Sequence, residues 1–479
     1  MPFLARLRTQ TWLLFLFGLA FLYFYSGGGP NQAVRFNLDR AILEHGTVRI
    51  DRYHKNTEDK AFYEGHYYCD KAPGTSLFAL PALAVSRTIL KHTGIDTDGS
   101  DAAEIQIRVA TWFGAGLPAT VMCLVVYGWM RRKGYSRMAA VYSSIAVGLA
   151  SPMWAYATLF WGNALASCSL VIAARLVDRL VHSVPGDKTL DVAFGAGVAA
   201  GSAVITEYPT APMAVFLALF LAWHRRDVML YGRQLLLFGA GALLVASVLG
   251  CYNYIAFGSP LHLGYASVQG FEGMKQGMFG VTWPTMEAIE GVIWGPRGLL
   301  LTGPVVVLGL FGHLYSLFVN RHRKTAIIAL FCSIYPFLLN VSYVYWDGGW
   351  TFGPRHMAAS LPFLAMGLAP LYDALPRRFR PFATLVLASG VFVCIMGVSV
   401  HGMTPYTWKH PLPELYWPSF WLGWYARNSQ WQGAGGPASN LGLAMGLDMK
   451  YSLVPFFVAL LVVLCGLAYS VWRTPTKEN

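Results

Sequence analysis

Charge is what this sequence has least of. Only 13% of its 479 residues are Asp, Glu, Lys or Arg, against 55% apolar, about half the charged share usual in soluble domains. Cysteine is also scarce: there are seven, with no CxxC pair, which excludes a structural zinc site and a disulfide framework of the usual spacing. Cys123, Cys168, Cys251, Cys332, Cys394 and Cys465 lie in or beside apolar blocks and read as small fillers, and Cys69 alone stands in a polar stretch. No Walker motif, no strand-linked GxGxxG and no HExxH occurs, so nucleotide hydrolysis and zincin chemistry have no support. The formal charge of +12 does not imply nucleic acid, because Lys and Arg collect in short runs between apolar blocks. These are Arg131-Arg132-Lys133, Arg225-Arg226, Arg321-His322-Arg323-Lys324 and Arg377-Arg378-Phe379-Arg380.

What is there instead is apolar sequence in blocks of roughly the length that crosses a bilayer. Spans are predicted at 11–26, 105–130, 138–157, 162–181, 190–205, 208–223, 234–256, 299–319, 325–345, 357–374, 382–400 and 453–472. With the N-terminus inside, every basic run falls on the cytoplasmic side, as do Arg175, Arg179, Lys188, Arg473 and Lys477. The links 158–161 and 206–207 face outward and hold no Lys or Arg. Trp12 to Tyr25 is aromatic to its end and offers no small-residue cleavage site, so it is expected to stay as a first helix. Residues 75–91 look like a span, but counting them would put Arg131–Lys133 outside. Pro81 and Ser86-Arg87 favour a helix lying along the outer interface, since a centred Arg in lipid is costly. The expectation is one all-α integral membrane unit over 1–479, with about twelve transmembrane helices and interface helices in a large first outer loop.

Three long segments then share the outer face: 27–104, 257–298 and 401–452. In the first, Asn31 is a candidate N-cap, and Val34, Leu38, Ala41 and Ile42 repeat at helical spacing until Gly46. An interface-lying helix without chemistry fits that spacing equally well. This segment concentrates ionisable groups in a chain with only 24 carboxylates: Asp39, Glu44, Asp51, Glu58, Asp59, Glu64 and Asp70, with His45, His54, His66, Lys55, Lys60 and Lys71 among them. Such a loop can be polar merely because it is wet.

Tyr68-Cys69-Asp70-Lys71-Ala72-Pro73-Gly74 leads into the interface helix. An ammonium beside a carboxylate at a helix entrance suits a phosphate, although Lys71 snorkelling from a plain turn is the competing reading. Tyr345-Trp346-Asp347-Gly348-Gly349-Trp350-Thr351-Phe352-Gly353-Pro354-Arg355-His356 forms a second unit on the same face. Its glycines allow close approach, its Trp faces can stack on sugar rings, and Arg355 opens the next helix; an interfacial aromatic belt is the plainer alternative. Glu207 in Thr206-Glu207-Tyr208-Pro209, Asn163, and the Trp283-Pro284 and Pro296-Arg297-Gly298 turns complete the candidates.

At these residues the chain resembles the GT-C superfamily of polytopic glycosyltransferases, near the protein O-mannosyltransferase and lipid A aminoarabinose transferase branch. One span precedes a large outer loop, and Asp70-Lys71-x-Pro73 is similar to that family's acidic-Lys-Pro-Pro unit. Gly348 to Arg355 resembles a stretch of bacterial members. The resemblance implies transfer of a sugar from a polyprenyl-phosphate carrier to an acceptor hydroxyl, usually with inversion. It further implies a bacterial inner membrane protein with its site on the periplasmic or extracellular side, acting with membrane lipids and on a lipid, glycan or protein acceptor, without nucleic acid. By the same resemblance Lys71 holds the donor phosphate and Asp70 orients it or binds a metal. Arg355, also at an outer helix entrance beside Pro, is the candidate second cation on that phosphate, and His66, Tyr68, Glu207, Trp350 and His356 are candidate substrate contacts. A divalent metal, if the reaction uses one, falls to Asp70 or Glu207. The sequence departs from the family where its acids usually stand, with Asn31 and Asn163 in those places. Asp51 and Asp59 are the preferred substitutes as base, Asp51 slightly ahead, with Asp70 the third carboxylate. A flippase or transporter of lipid-linked saccharides and a structural membrane protein are the alternatives. They are separated from a transferase by whether Asp51, Asp70, Lys71, Glu207 and Arg355 converge.

Overall fold

The computed structural model describes residues 7–183, 189–223, 228–319, 321–428 and 436–473. The predicted basic positions Lys188, Arg225, Arg226 and Lys477 lie outside the described residues. In chain order the main helices are α1 (Thr9–Tyr23), α2 (Pro30–His45), α3 (Gly74–His92), α4 (Ser100–Arg132) and α5 (Arg137–Leu149). There follow α6 (Asn163–His182), α7 (Leu190–Thr206), α8 (Tyr208–Trp223), α9 (Val228–Phe257) and α10 (Met286–Thr302). The last five are α11 (Pro304–Phe318), α12 (Arg323–Val341), α13 (Arg355–Ala374), α14 (Arg380–Val400) and α15 (Val454–Arg473).

Among the described residues, six helices are long and apolar enough to cross a membrane: α4, α9, α12, α13, α14 and α15. The pair α10 and α11, bent by 107° at Gly303, adds a seventh as a broken span, while α1, α5, α7 and α8 are apolar but shorter. Each predicted block falls on helix, with 138–157 interrupted after Leu149 and 299–319 at Gly303. The molecule is an all-α, multi-pass integral membrane protein.

The apolar helices pack by close approach where lipid offers no hydrophobic drive. Gly197 and Gly201 form a small-xxx-small face on α7, and a Cβ at Gly197 would collide with the Phe238 carbonyl of α9. At the end bearing the basic loops, Asp178 of α6 is buried yet fully engaged. It takes Lys133 at 2.7 Å, Thr325 Oγ1 at 2.6 Å and Trp129 Nε1 at 3.0 Å, tying α4, α6 and α12 together.

At the opposite end the three long segments meet. Ala61 bridges to Val268, the Gln269 amide donates to the Lys60 carbonyl at 3.0 Å, and the Gly28 amide donates to the Gly436 carbonyl at 3.0 Å, next to the antiparallel pairing of Phe24–Tyr25 with Ser439–Asn440. Two expectations need correction. The first loop helix begins at Pro30, not after Asn31, because Pro favours the first helical position and Gly29 supplies the extended cap. Nor does it lie half-wet in the interface: Val34, Leu38 and Ala41 are buried as expected, but so are Gln32, Arg35, Asn37 and Asp39 on the other faces. Gly46 ends it in the left-handed conformation. Helix α3 buries Ala79 and Leu83 while exposing Phe78, Val85 and Ile89, and its Arg87 bonds Glu44 at 3.3 Å and Asp98 at 2.5 Å.

Candidate functional site

The Asp-Lys-x-Pro unit is placed by a hairpin. Ala61–Tyr63 (β1) pairs with His66–Tyr68 (β2) across Glu64-Gly65, both at positive φ, as the twist of a tight hairpin requires. The chain then passes through Asp70 and Lys71 into α3, with Pro73 at the cap. Asp70 is wholly buried and lies against the 257–298 segment so tightly that a Cβ at Gly264 would sit 2.8 Å from its carbonyl oxygen. The Lys71 ammonium lies between two carboxylates, 2.7 Å from Asp70 Oδ2 and 3.1 Å from Asp59 Oδ2. Burial opposes its charge, but Asp59 and Asp70 outweigh burial and hold it protonated beyond its ordinary range. Burial raises the Asp70 carboxyl, against the pull of Lys71. Asp70 Oδ1 has no hydrogen-bond partner among the described residues.

A second ion pair stands beside the first. Arg35 of α2, buried, donates from Nη2 to Glu207 Oε1 at 2.8 Å and from Nη1 to the Ala72 carbonyl at 3.0 Å. Its Nε reaches Asn31 Oδ1 at 3.2 Å. One guanidinium therefore ties α2, the Asp-Lys-x-Pro turn and the α7–α8 turn together. Two glycines make room for it: a Cβ at Gly74 would meet Thr206 Oγ1 at 2.6 Å, and one at Gly162 would strike Glu207. Tyr265 joins the two pairs, lying in electrostatic range of Glu207, Lys71 and Asp70, with burial raising its hydroxyl. Its ring stands edge-on to Tyr208 at 5.3 Å.

Glu207 also lines an open cleft with Asn163, Arg355 and His356. Met213, Tyr335, Pro336 and Leu339 form its apolar wall. The Asn163 amide donates to the Arg355 carbonyl at 2.9 Å. The Arg355 guanidinium lies over the Trp161 ring at 5.4 Å, and among the described residues no carboxylate pairs with it. Lys71 and Arg355 both lie within electrostatic range of Tyr343, whose ring stands 4.8 Å from His356. The buried His356 Nε2 has no partner among the described residues.

Of the predicted residues, the structure gathers Asp59, Asp70, Lys71, Glu207, Arg355 and His356. Asp51 is apart: its oxygens accept the Tyr67 amide at 2.7 Å and meet His66 Nδ1 at 2.8 Å, bonds that brace the hairpin. His66 shares that local role. Tyr68 is core, packed 5.2 Å from Phe257, and Trp350 packs against His401 at 6.2 Å, away from the cleft lining. Arg297 donates to the Gly349 carbonyl and sits 3.5 Å from Asp347, so it supports the glycine-rich loop, whereas Trp283 is exposed. Sequence reasoning missed Arg35 and Tyr265. Arg35 had a signal, because Asn31, Arg35 and Asp39 recur at i, i+4 and i+8 as a polar stripe on an otherwise apolar helix.

Solved structures share this architecture. ArnT from Cupriavidus metallidurans, a lipid A aminoarabinose transferase, aligns in its apo state over 96% of this chain and 74% of its own, with TM-score 0.50 and 15% identity. Bound to undecaprenyl phosphate, it aligns over 96% and 75%, with TM-score 0.51 and 12% identity. The fold is the GT-C fold. Archaeal oligosaccharyltransferase AglB from Archaeoglobus fulgidus, in complex with an inhibitory peptide and a dolichol-phosphate, shares it over 83% of this chain and 57% of its own, at TM-score 0.50 and 12% identity. No protein-family model and no curated protein sequence matches the chain. On this GT-C frame the side chains do not suit a divalent metal. Among the described residues no three His, Cys, Asp or Glu groups gather as ligands, the Lys71 ammonium holds the place between Asp59 and Asp70, and Glu207 is paired with Arg35.

Proposed function

We propose that this chain is a membrane glycosyltransferase of twelve crossings, moving a sugar from a polyprenyl-phosphate carrier to an acceptor hydroxyl with inversion. Its site would face the periplasmic side of a bacterial inner membrane, opposite the basic loops. What supports the reading is proximity of charge from three distant stretches: Glu207 and Arg355 line one cleft with an apolar wall, and the Lys71–Asp59–Asp70 cluster shares Tyr343 and Tyr265 with them as electrostatic neighbours. Solved structures of the same fold supply the chemical precedent, one bound to undecaprenyl phosphate and one to dolichol-phosphate.

The chemistry follows from the arrangement. Arg355, uncompensated, takes the donor phosphate, and Met213, Tyr335 and Leu339 take the first isoprenoid units. Lys71 supplies a second cation as charge grows on the leaving phosphate. A carboxylate of the Asp59–Asp70 pair receives the acceptor proton. Asp51, tied into the hairpin, is not the group this geometry favours. Charge within the spans sits at helix ends, as in the Asp178 cluster, which gives a transporter no support.

The test is incubation of the purified protein with a panel of polyprenyl-phosphate sugars, scoring thermal stabilisation and hydrolysis or transfer. One donor should stabilise and turn over. If no polyprenyl-phosphate sugar does either, the reading fails.

A further inference from the structure

Lys71 is an unusual candidate for a phosphate ligand, because both of its near neighbours are acidic side chains. The two are not equivalent. Asp70 is adjacent in the chain, its side chain is wholly buried, and it lies 2.7 Å away; Asp59 is 10% exposed and 3.1 Å away. Asp59 sits in an irregular stretch between the short helix His54–Asn56 and strand β1, where Thr57 Oγ1 donates to its backbone carbonyl at 3.2 Å. Asp70 is locked by the Gly264 contact on one side and α3 on the other. An incoming anion can therefore displace Asp59 from the ammonium but not Asp70.

We propose that the donor phosphate competes with Asp59 for Lys71, so that donor binding itself unmasks the catalytic base. In the resting site the Lys71 ammonium, 3.1 Å from Asp59 Oδ2, occupies the face of the carboxylate that would meet an incoming hydroxyl. When a phosphate oxygen takes over the ammonium, the Asp59 carboxylate loses its counter-charge beside the bound sugar. It then accepts the acceptor O–H proton as that oxygen bonds to the anomeric carbon. The bond from that carbon to the phosphate oxygen breaks, and its electron pair leaves on the phosphate, held by Lys71 and Arg355. Departure of the polyprenyl phosphate returns Lys71 to Asp59, which gives its proton to water. Without donor the base stays masked, which would suppress idle proton exchange and order the two substrates.

This inference rests on the transferase reading, and one pair of measurements separates their failures. Undecaprenyl phosphate is titrated into wild type and Asp59→Asn in detergent micelles, and turnover is measured with the best donor of the panel. Asp59→Asn should bind undecaprenyl phosphate roughly tenfold tighter, because an ion pair no longer has to be broken, while kcat falls roughly a hundredfold to ten-thousandfold. Loss of a merely structural contact would weaken both. Asp59→Ser, which removes the charge with less bulk, should repeat the split, and unchanged melting of either variant certifies its fold. Wild type that binds while both variants bind no tighter overturns the competition. Wild type that does not bind undecaprenyl phosphate overturns the transferase reading beneath it.

Discussion

Removing Arg355 tests the electrostatics of the cleft most directly. Lys71 faces two carboxylates and Arg35 faces Glu207, so Arg355 carries the charge that no described acid offsets. A hydrogen bond to a charged group contributes about 1.5–3 kcal/mol. At about 1.36 kcal/mol per decade, Arg355→Ala should lower kcat/KM for a polyprenyl-phosphate sugar roughly 10- to 150-fold. Its partner is charged before and during reaction, so most of the loss should fall on donor affinity and the smaller part on kcat. Arg355→Lys keeps the charge without the planar fork and should land between the two. Loss of the Trp161 contact costs about 0.5–1 kcal/mol of stability, too little to unfold the protein. The assay is initial-rate kinetics over donor concentration with a parallel melting curve. Donor affinity and kcat/KM within twofold of wild type in Arg355→Ala would refute the argument.

Three further outcomes follow from the geometry. Burial holds the Asp39 carboxyl well above its ordinary range, so the fold binds its proton more tightly than the unfolded chain, and stability falls as pH rises from about 4. Asp39→Asn should therefore gain melting temperature over wild type with rising pH, and a pH-independent difference between pH 4 and 8 would reject this. Asp51→Asn breaks a half-exposed hairpin brace and should cost under about 1 kcal/mol while turnover stays near normal; a dead but folded variant would restore Asp51 as base. A cysteine replacing Glu64 should be labelled from outside sealed cells and one replacing Lys133 should not, with labelling at 133 reversing the topology; Gln432, a second outer position by sequence, lies outside the described residues.

The fold was legible because it is written in two local signals. Apolar blocks mark the helices, and basic runs between them mark one side. Each of the twelve predicted blocks falls on helix, whereas α10 begins at Met286 inside the segment 257–298 that block length left as loop. What block length could not show is packing. The first loop helix reads as amphipathic because Val34, Leu38 and Ala41 recur at helical spacing, yet Arg35, Asn37 and Asp39 are buried too. A sequence shows which face is apolar, but not whether the polar faces meet water or one another. Cys69 makes the same point: it stands in a polar stretch but is buried, its thiol pushed up to about 12 chiefly by that burial.

The site divides along the same line. Asp70 and Lys71 are neighbours in the chain, so their partnership could be read directly. Arg35 and Glu207 lie far apart in sequence, and each alone has an innocent explanation, a helix charge and a wet turn. Only together do they change the electrostatic reading. Glu207, without Arg35, would be a free anion in the cleft and would repel a phosphate. Paired at 2.8 Å, it contributes little net charge. Asp59 and Lys71 likewise nearly cancel, and burial opposes the ionisation of Asp70. What remains in the lining of the cleft is Arg355, beside an apolar wall. An amphiphile with one anionic end and a long apolar tail satisfies every part of that surface. A free sugar would leave the wall unused, and a neutral lipid would leave Arg355 unpaired.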